Sequence, residues 1–347
     1  MNTANNSSKD FLLLGNINMY VLPFFSLYNC DINMIKFKDT EKQRAVFKID
    51  TFDKSYCLKK VYYSEAELLF VYSAMEWAYR NGISVPKLLP SNDGNRYVIY
   101  NGMIFILSDW VGGDKCDFDN PLHITLSAKT LSKLHKSSID FKPISGSSNR
   151  SYLQNFNLSL VRHFNTLLDS ANSAESTKDK FSKIYLKNFD YNLSLAKIAL
   201  EISSDIKNDD LSTSLCHGDY VNKNILIEDN KNVNLIDFDK CAYDYSAHDI
   251  AYFLRRFLKR PTTNWNIDST LSFLDTYSQL HPLSSADYKY ILAYLAFPQK
   301  YWKVSRDYYK NIKKCNKNSF ITILEKSLER TARQREFILE MQKILNL

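Results

Sequence analysis

Hydrophobic and polar residues alternate along two segments in the first third of the chain. The segments read Val-Phe-Lys-Ile-Asp at residues 46–50 and Tyr-Cys-Leu-Lys-Lys-Val at residues 56–61. Alternation with a period of two is typical of β-strands that are buried on one face. Since only residues 51–55 separate the segments, the two strands are predicted to pair as an antiparallel hairpin.

A helix and a second hairpin complete this region. Ser64 precedes a long apolar-periodic run, and Glu67 follows three residues later. This is the spacing of a capping box and predicts that a helix begins here. Asn81-Gly82 is a helix stop signal, and Asn101-Gly102 between two β-prone runs indicates a type I′ turn. Residues 30–110 are therefore predicted to form an antiparallel sheet with one inserted helix.

The pattern changes to mainly helical after the glycine pair at residues 112 and 113. Apolar residues recur at helical spacing over 124–136, 152–168 and 189–206, which predicts three helices. The polar stretch 169–183 between the last two is predicted to be an exposed connection. Most of the chain beyond residue 240 is also predicted to be helical.

Length and composition agree with a two-lobed globular protein. The 347 residues exceed the usual size of one domain, and 45% are hydrophobic and 24% charged. We predict an N-terminal extension over residues 1–31, a small N-lobe over 32–112 and a larger C-lobe over 113–347. The six cysteines form no Cys-x-x-Cys pair, so a zinc site is not indicated and free thiols in a reducing compartment are expected.

The charge is only mildly basic, with a formal net charge of +7. Basic residues cluster at 255–260 and 310–317; such clusters can contact phosphate or an acidic partner, but we predict solvated helix faces. No nucleic-acid-binding motif is present, so no nucleic-acid partner is expected. Residues 1–9 lack the order of a signal peptide and no apolar run is long enough to span a membrane, so synthesis in the cytosol without a membrane span is expected.

A spaced set of polar side chains indicates chemistry. His217 and Asp219 are followed by Asn224, and an apolar hairpin then leads to Asp237. Phosphoryl transfer needs a carboxylate that orients the attacking hydroxyl and accepts its proton, the role predicted for Asp219. It also needs hard oxygen ligands that hold a metal against the phosphates, the role predicted for Asn224 and Asp237. Asn224 is thereby predicted, with Asp219, as a catalytic residue. The order H-x-D-x-x-x-x-N followed by a metal-binding aspartate is that of kinases.

A kinase-like site also needs a cation for the α- and β-phosphates and an acidic residue that holds it in place. Lys59 lies on the third predicted strand and suits the first role. Glu67 on the following helix is the preferred partner, with Glu65 and Glu76 as alternatives. Because a lone lysine on a strand is normally solvated, this assignment depends on the motif at residues 217–237.

The run C-H-G-D-Y-V-N-K-N-I-L-I at residues 216–227 resembles the Brenner motif of the aminoglycoside phosphotransferase and choline kinase group. Over residues 32–337 the chain resembles CotS-type spore coat proteins, notably at 56–61 and 105–113. This implies an α+β, bilobal protein-kinase-like fold. The small N-lobe would have an antiparallel sheet with one inserted helix, and the larger C-lobe would be mainly helical. The resemblance further implies that His217 braces the catalytic loop and that Asp249 caps a helix and ties down that loop.

The CotS resemblance implies a spore coat component that is made in the mother-cell cytoplasm, enters the coat and has other coat proteins as partners. If active, it would use ATP and Mg²⁺ and a small-molecule or protein hydroxyl as acceptor. The alternatives are a cytosolic small-molecule kinase and an active coat protein kinase. The region 37–46 contains no glycine to approach phosphate closely, although Lys38, Lys42 or Arg44 could supply charge. Asp239, where protein kinases have glycine, could help to bind a second metal, but it is expected to face water.

Overall fold

The computed structural model describes residues 14–38 and 44–347, and for residues 36–38 it describes the backbone. The chain divides into two compact units. The first consists of the chain up to residue 115 with segments 140–150 and 224–241. The second consists of 116–139, 151–223 and 242–347. The lobe boundary predicted after residue 112 stays a prediction. The division into two compact units assigns the segment that contains Asp237 to the first unit.

The first unit is built on a five-stranded antiparallel sheet of order β1-β2-β3-β5-β4. Its inward residues, such as Phe47 and Leu58, are fully buried and pack with Ile17 of the helical segment before the sheet and with Val21, which directly follows that segment. The predicted hairpin and sheet are confirmed. The strands are β1 (Asp31–Lys38), β2 (Arg44–Asp50), β3 (Ser55–Val61), β4 (Val98–Tyr100) and β5 (Met103–Asp109), and residues 14–20 form the helical segment α1.

The inserted helix α2 (Glu65–Arg80) begins and ends where the sequence predicts. The Ser64 side chain accepts from the Glu67 N–H, and the Glu67 side chain accepts from the Ser64 N–H, so the capping box is formed. In the β4–β5 turn, Asn101 and Gly102 have φ of 49° and 71°. Positive φ at both central residues is the mark of the predicted type I′ turn.

A smaller antiparallel sheet in the first unit carries the end of the sequence motif. It has the order β6-β8-β9, formed by β6 (Asp114–Lys115), β8 (Ile225–Glu228) and β9 (Asn232–Leu235). The β8–β9 hairpin was expected from the apolar residues between Asn224 and Asp237. The Leu235 N–H donates to the Ser84 carbonyl at 2.9 Å, which attaches this hairpin to the segment after α2.

The second unit is mainly helical, with one short antiparallel strand pair between β7 and β10. Aromatic side chains fill the space between its helices: Phe181 stacks on Tyr308 at 3.8 Å and Tyr185 on Tyr301 at 4.5 Å between ring centroids. The elements are α3 (Pro121–Ser137), α4 (Phe156–Thr177), α5 (Lys180–Lys187), α6 (Phe189–Ser203), β7 (Thr213–Cys216), β10 (Ala242–Tyr245), α7 (Ser246–Leu258), α8 (Ile267–Ser278), α9 (Ser285–Ala296), α10 (Gln299–Lys310), α11 (Lys317–Leu328) and α12 (Thr331–Leu345).

The predicted connection over residues 169–183 is wrong, because α4 continues to Thr177 and α5 begins at Lys180. Ser170 and Ala174 are buried on one face of α4. The hydroxyls of Ser173 and Ser176 donate to carbonyls four residues earlier at 2.9 and 3.0 Å. These serine hydroxyls therefore find their hydrogen-bond acceptors within the helix itself. A periodic pattern of apolar residues cannot reveal a helix that small polar residues extend in this way.

Within the described residues, no helix combines the length and the apolar character that crossing a membrane would require. All six cysteines are free thiols.

Gly113 and Gly112 offer a matched test of the backbone beside β8. A Cβ at Gly113 would lie 3.2 Å from the Ile227 backbone, and φ there is +102°, whereas a Cβ at Gly112 would meet only the Glu228 carboxylate at 3.8 Å. We expect Gly113→Ala to lower the free energy of unfolding by roughly 1–3 kcal/mol, measured by chemical denaturation. Gly112→Ala should stay close to the parent, and equal losses from both variants would contradict this explanation.

Candidate functional site

Lys59 lies at the centre of the large sheet, paired in register with Val46 of β2 and Ile106 of β5. Its side chain is only 12% exposed. The ammonium nitrogen Nζ lies 2.8 Å from Asp237 Oδ1 and 2.5 Å from Asp239 Oδ1. The structure therefore joins Lys59 to the aspartate that the sequence predicts as a metal ligand, within a single unit.

Arg44, the first residue of β2, reaches the same two carboxylates. Its guanidinium forms an ion pair with Asp237 and lies 2.8 Å from Asp239 Oδ2. The Asp239 side chain is 4% exposed, and the Tyr63 hydroxyl also donates to it at 3.3 Å. The expectation that Asp239 faces water is wrong, because two cations and a phenol surround it. Lys42, an alternative source of charge, and the side chain of Lys38 lie outside the described residues.

We call Arg44, Lys59, Asp237 and Asp239 the ion-pair cluster. Burial alone would lower the pKa of Lys59, but the charges of Asp239 and Asp237 outweigh it and raise that pKa above its usual value. The same balance of burial against Asp239 and Asp237 raises the pKa of Arg44. Both cations therefore stay charged, and two positive charges balance two negative ones where uncompensated charge would be costly.

The backbone around Asp237 is fixed by the β8–β9 hairpin. The Ile236 N–H donates to the Asn224 carbonyl at 3.0 Å, so the two predicted metal-binding residues lie at neighbouring ends of one hairpin. Asn224 is buried, and Asp237 has a left-handed φ of 70°. Such a conformation is uncommon for a residue other than glycine and frequent at functional sites.

The three candidate glutamates on α2 have other contacts. Glu67 accepts the Ser64 N–H at 2.9 Å, Glu65 accepts the Tyr97 hydroxyl, and Glu76 binds Arg80 at 2.8 Å. Lys59 takes the two aspartates as ion partners instead. The structure thus does not place Glu67 with Lys59, because the capping box directs the Glu67 side chain back to the start of its own helix.

In the second unit, Asp249 holds the loop after β7. Its carboxylate accepts the His217 N–H at 2.6 Å and the Gly218 N–H at 3.0 Å, and it lies 3.4 Å from His135 Nε2. Burial alone would raise the pKa of Asp249, but His135 and the other histidines outweigh it and the pKa is lowered. The loop-tying expectation agrees with these bonds. The capping expectation is wrong, because the N-cap of α7 is Tyr245 and Asp249 lies within the first turn.

Asp219 lies at the end of this loop with its own partners. Its N–H donates to His217 Nδ1 at 3.3 Å, so His217 braces the loop from a fully buried position. The Asp219 carboxylate accepts the Tyr252 hydroxyl at 3.1 Å and lies 3.8 Å from Lys223 Nζ. Arg256 in turn donates to the Tyr252 oxygen at 2.6 Å.

Tyr252 and Arg256 were missed as site residues. A signal for them exists in the sequence, since positions 249, 252 and 256 follow the three- and four-residue spacing of one helix face. Once Asp249 is assigned to the loop, the same face of α7 places Tyr252 and Arg256 near Asp219.

Comparison with solved structures identifies the fold. An aminoglycoside phosphotransferase from Alicyclobacillus acidocaldarius superposes with a TM-score of 0.76 at 19% identity, covering 91% of this chain and 94% of that one. The spectinomycin phosphotransferase APH(9)-Ia, solved with ADP and spectinomycin, gives a TM-score of 0.67 at 13% identity, covering 95% and 98%. The fold is therefore the kinase-like fold of these phosphotransferases, and the predicted fold class is confirmed.

Sequence comparison gives the family. The chain belongs to the family described as "Spore coat putative kinase YutH", whose model matches residues 32–341. Spore coat protein S of Bacillus subtilis (strain 168) is 21% identical over 300 residues, covering 85% of both chains. The resemblance to CotS-type proteins is confirmed: this is a spore coat family protein on a kinase-like scaffold.

The buried carboxylate of Asp249 generates a stability prediction. Asp249→Asn removes a charged acceptor from two backbone N–H groups, so we expect the free energy of unfolding to fall by about 1.5–3 kcal/mol. Urea denaturation followed by circular dichroism measures this. Asp268→Asn is the control, because Asp268 lies in the first turn of α8 but is exposed. An Asp249 variant as stable as the control would contradict the loop-holding role.

Proposed function

We propose that this chain is a spore coat component that binds ATP with Mg²⁺ through its first unit and transfers a phosphoryl group to a hydroxyl. The observation that carries the nucleotide part is the convergence of the Asp237 and Asp239 carboxylates on Lys59. Kinase-like sites combine an aspartate for the metal with a strand lysine for the phosphates. The ADP in the spectinomycin phosphotransferase complex belongs to that protein and supports the proposal by shared fold.

The residues of the ion-pair cluster fit a divalent cation. Mg²⁺ prefers oxygen ligands and is usually bound through one or two carboxylates together with phosphates, and Asp237 and Asp239 offer such carboxylates. Asn224 is the further oxygen ligand that we propose. Bound Mg²⁺ would neutralise charge on the phosphates, while Lys59 and Arg44 would turn from the aspartates to phosphate oxygens.

Asp219 is proposed as the group that orients the acceptor hydroxyl and accepts its proton. Two groups hold its carboxylate in place: the Tyr252 hydroxyl donates to Oδ1 at 3.1 Å, and Lys223 lies 3.8 Å from Oδ2. His217 and Asp249 fix the loop on which Asp219 sits. In this proposal Glu67 caps α2 and makes no direct contact with Lys59. Its effect on Lys59 comes only through the position of that helix.

The family supports a place in the spore coat. We propose synthesis in the mother-cell cytoplasm, followed by incorporation into the coat beside other coat proteins. A cytosolic small-molecule kinase is the alternative, and an active coat protein kinase is a third possibility that differs only in its acceptor. The kinase-like neighbours favour activity, and the coat relatives favour the location.

Binding of Mg-ATP is tested by thermal shift on the parent and on Asp237→Asn. A protein that binds a ligand gains about 2.7 kcal/mol in free energy of unfolding at a hundredfold excess of ligand over Kd. We expect the parent protein to show such a gain and Asp237→Asn to show little of it. The gain on ligand addition is compared within each protein, because the substitution also unbalances the ion-pair cluster. Asp229→Asn, at the exposed β8–β9 turn, should respond like the parent. An equal gain in all three proteins, or no gain at millimolar Mg-ATP, would contradict the proposed site.

Arg44 gives a second test because it occupies the carboxylates that a metal would use. We expect Arg44→Gln to bind Mg²⁺ alone several-fold more tightly than the parent, since an internal competitor has been removed. Isothermal titration calorimetry without nucleotide measures this, with Lys48→Gln of the same strand as control. Weaker Mg²⁺ binding by Arg44→Gln would show that these carboxylates are not the metal site.

The location is tested by fractionating sporulating cells and probing for the protein with an antibody. We expect it in the mother-cell fraction early and in the coat extract of mature spores later. A protein that stays in the cytosol and never enters the coat extract would favour the cytosolic kinase.

A further inference from the structure

The second unit contains a cavity of about 540 Å³ between the C-terminal half of α7 and the helices α10, α11 and α12. Helix α7 contributes Arg255 and Arg256 to its wall, and Lys259, which directly follows the helix, lies beside them. Helix α10 contributes Lys300 and Lys303. We call this space the cationic cavity.

The remaining wall adds Lys326 of α11 and Arg330, and no aspartate or glutamate lines the cavity. Arg330 has a carboxylate neighbour in Glu329, at 3.6 Å. The other six cations form no ion pair with any described carboxylate. Like charges thus crowd around one space without the counter-charges that balance the ion-pair cluster of the first unit.

Polar groups in the wall also lack partners. Trp265 is 4% exposed and lines the cavity, yet its indole N–H makes no hydrogen bond. One guanidinium nitrogen of Arg255 is likewise buried without a hydrogen bond. Buried donors nearly always have an acceptor, so the Trp265 N–H indicates a ligand that carries acceptors. The Arg255 guanidinium also lies 4.7 Å from the Tyr294 ring centroid.

Burial and the neighbouring cations both act on the pKa of Lys259. Burial, followed by the charges of Arg255, Lys300 and Arg256, lowers the pKa of Lys259 to about 7. A cation that neighbouring cations destabilise is stabilised by an anion. Arg255, Arg256 and Lys259, for which a solvated helix face was expected, are half-buried and line the cavity.

The cavity is connected to Asp219 inside the same unit. Arg256, in the cavity wall, donates to the Tyr252 hydroxyl oxygen at 2.6 Å, and the Tyr252 hydroxyl donates to Asp219 Oδ1 at 3.1 Å. A ligand bound at the Arg256 end therefore lies one tyrosine hydroxyl away from the proposed base.

We propose that the cationic cavity binds an anion with several phosphate or carboxylate groups, and that this anion carries the acceptor hydroxyl. The binding part stands on the cavity alone, whereas the acceptor part rests on the proposed phosphotransferase function. In the transfer, the acceptor oxygen bonds to the γ-phosphorus of ATP, the bond from that phosphorus to the bridging oxygen breaks, and ADP leaves. The hydroxyl proton goes to the Asp219 carboxylate.

The binding part is tested by isothermal titration calorimetry of the full chain with citrate and, separately, with myo-inositol hexakisphosphate, in nucleotide-free and metal-free buffer. The variant is Lys300→Gln/Lys303→Gln, because both lysines are exposed at the cavity wall. We expect roughly a tenfold or greater loss of affinity, equivalent to about 1.4 kcal/mol. Lys326→Gln, from α11, should also weaken binding. The probe that binds more tightly distinguishes a carboxylate from a phosphate ligand.

The matched control is Lys313→Gln/Lys314→Gln, which removes the same charge at exposed positions away from the cavity. Its affinity should stay within about twofold of the parent, since separated surface charges are largely screened by salt. Equal losses in both double variants would show attraction to net charge alone and would overturn the proposal. Absence of binding by either anion would overturn it as well.

Asp219→Asn tests where the anion lies. Removing a negative charge beside a bound anion should tighten binding by about two- to fivefold, whereas unchanged affinity would overturn the acceptor assignment. The same proteins are titrated with Mg-ATP. Binding of Mg-ATP without binding of either anion would overturn this inference alone. Binding of an anion without binding of Mg-ATP would overturn the proposed phosphotransferase function and, with it, the assignment of the anion as acceptor.

Discussion

The first unit depends on the neutralisation of two aspartates that lie two residues apart and are both largely removed from water. The burial of Asp237 and Asp239 together is stabilised by Lys59 and Arg44, which reach them from two adjacent strands. The ion-pair cluster thereby fastens the small β8–β9 hairpin to the large sheet. The register of β2 and β3 matters for the same reason, since a shift of one residue would turn both cations to the opposite face.

In the second unit, too, buried charge requires compensation. One site there has compensating partners and another lacks them. Asp249 is buried and satisfied by two backbone N–H groups and a histidine, so its charge holds a loop in one conformation. The cationic cavity contains uncompensated charge of the opposite sign, together with donors such as the Trp265 N–H that have no acceptor. A satisfied charge stabilises the fold, whereas an unsatisfied one indicates what the fold binds.

Local signals in the sequence predicted the elements that local chemistry determines. The pair Ser64 and Glu67 specified the start of α2, and Asn101-Gly102 specified a turn, because each signal is complete within a few residues. The extension of α4 beyond residue 168 was not predicted, because its serines form hydrogen bonds within the helix and show no hydrophobic period. The ion-pair partners of Lys59 were not predicted, because they are about 180 residues away in the chain. Only the fold brings such residues together.

The charge balance around Asp237 has an evolutionary consequence. Replacing it with a neutral residue would leave Lys59 and Arg44 in excess in a largely buried space, a penalty that applies whether or not a nucleotide ever binds. Its left-handed backbone restricts the choice further, to residues such as glycine and asparagine. Selection for a folded coat protein would therefore preserve this aspartate even in a lineage that had abandoned catalysis. The stability of the fold is therefore by itself a reason for this chain to keep Asp237, in addition to any chemistry that the residue performs.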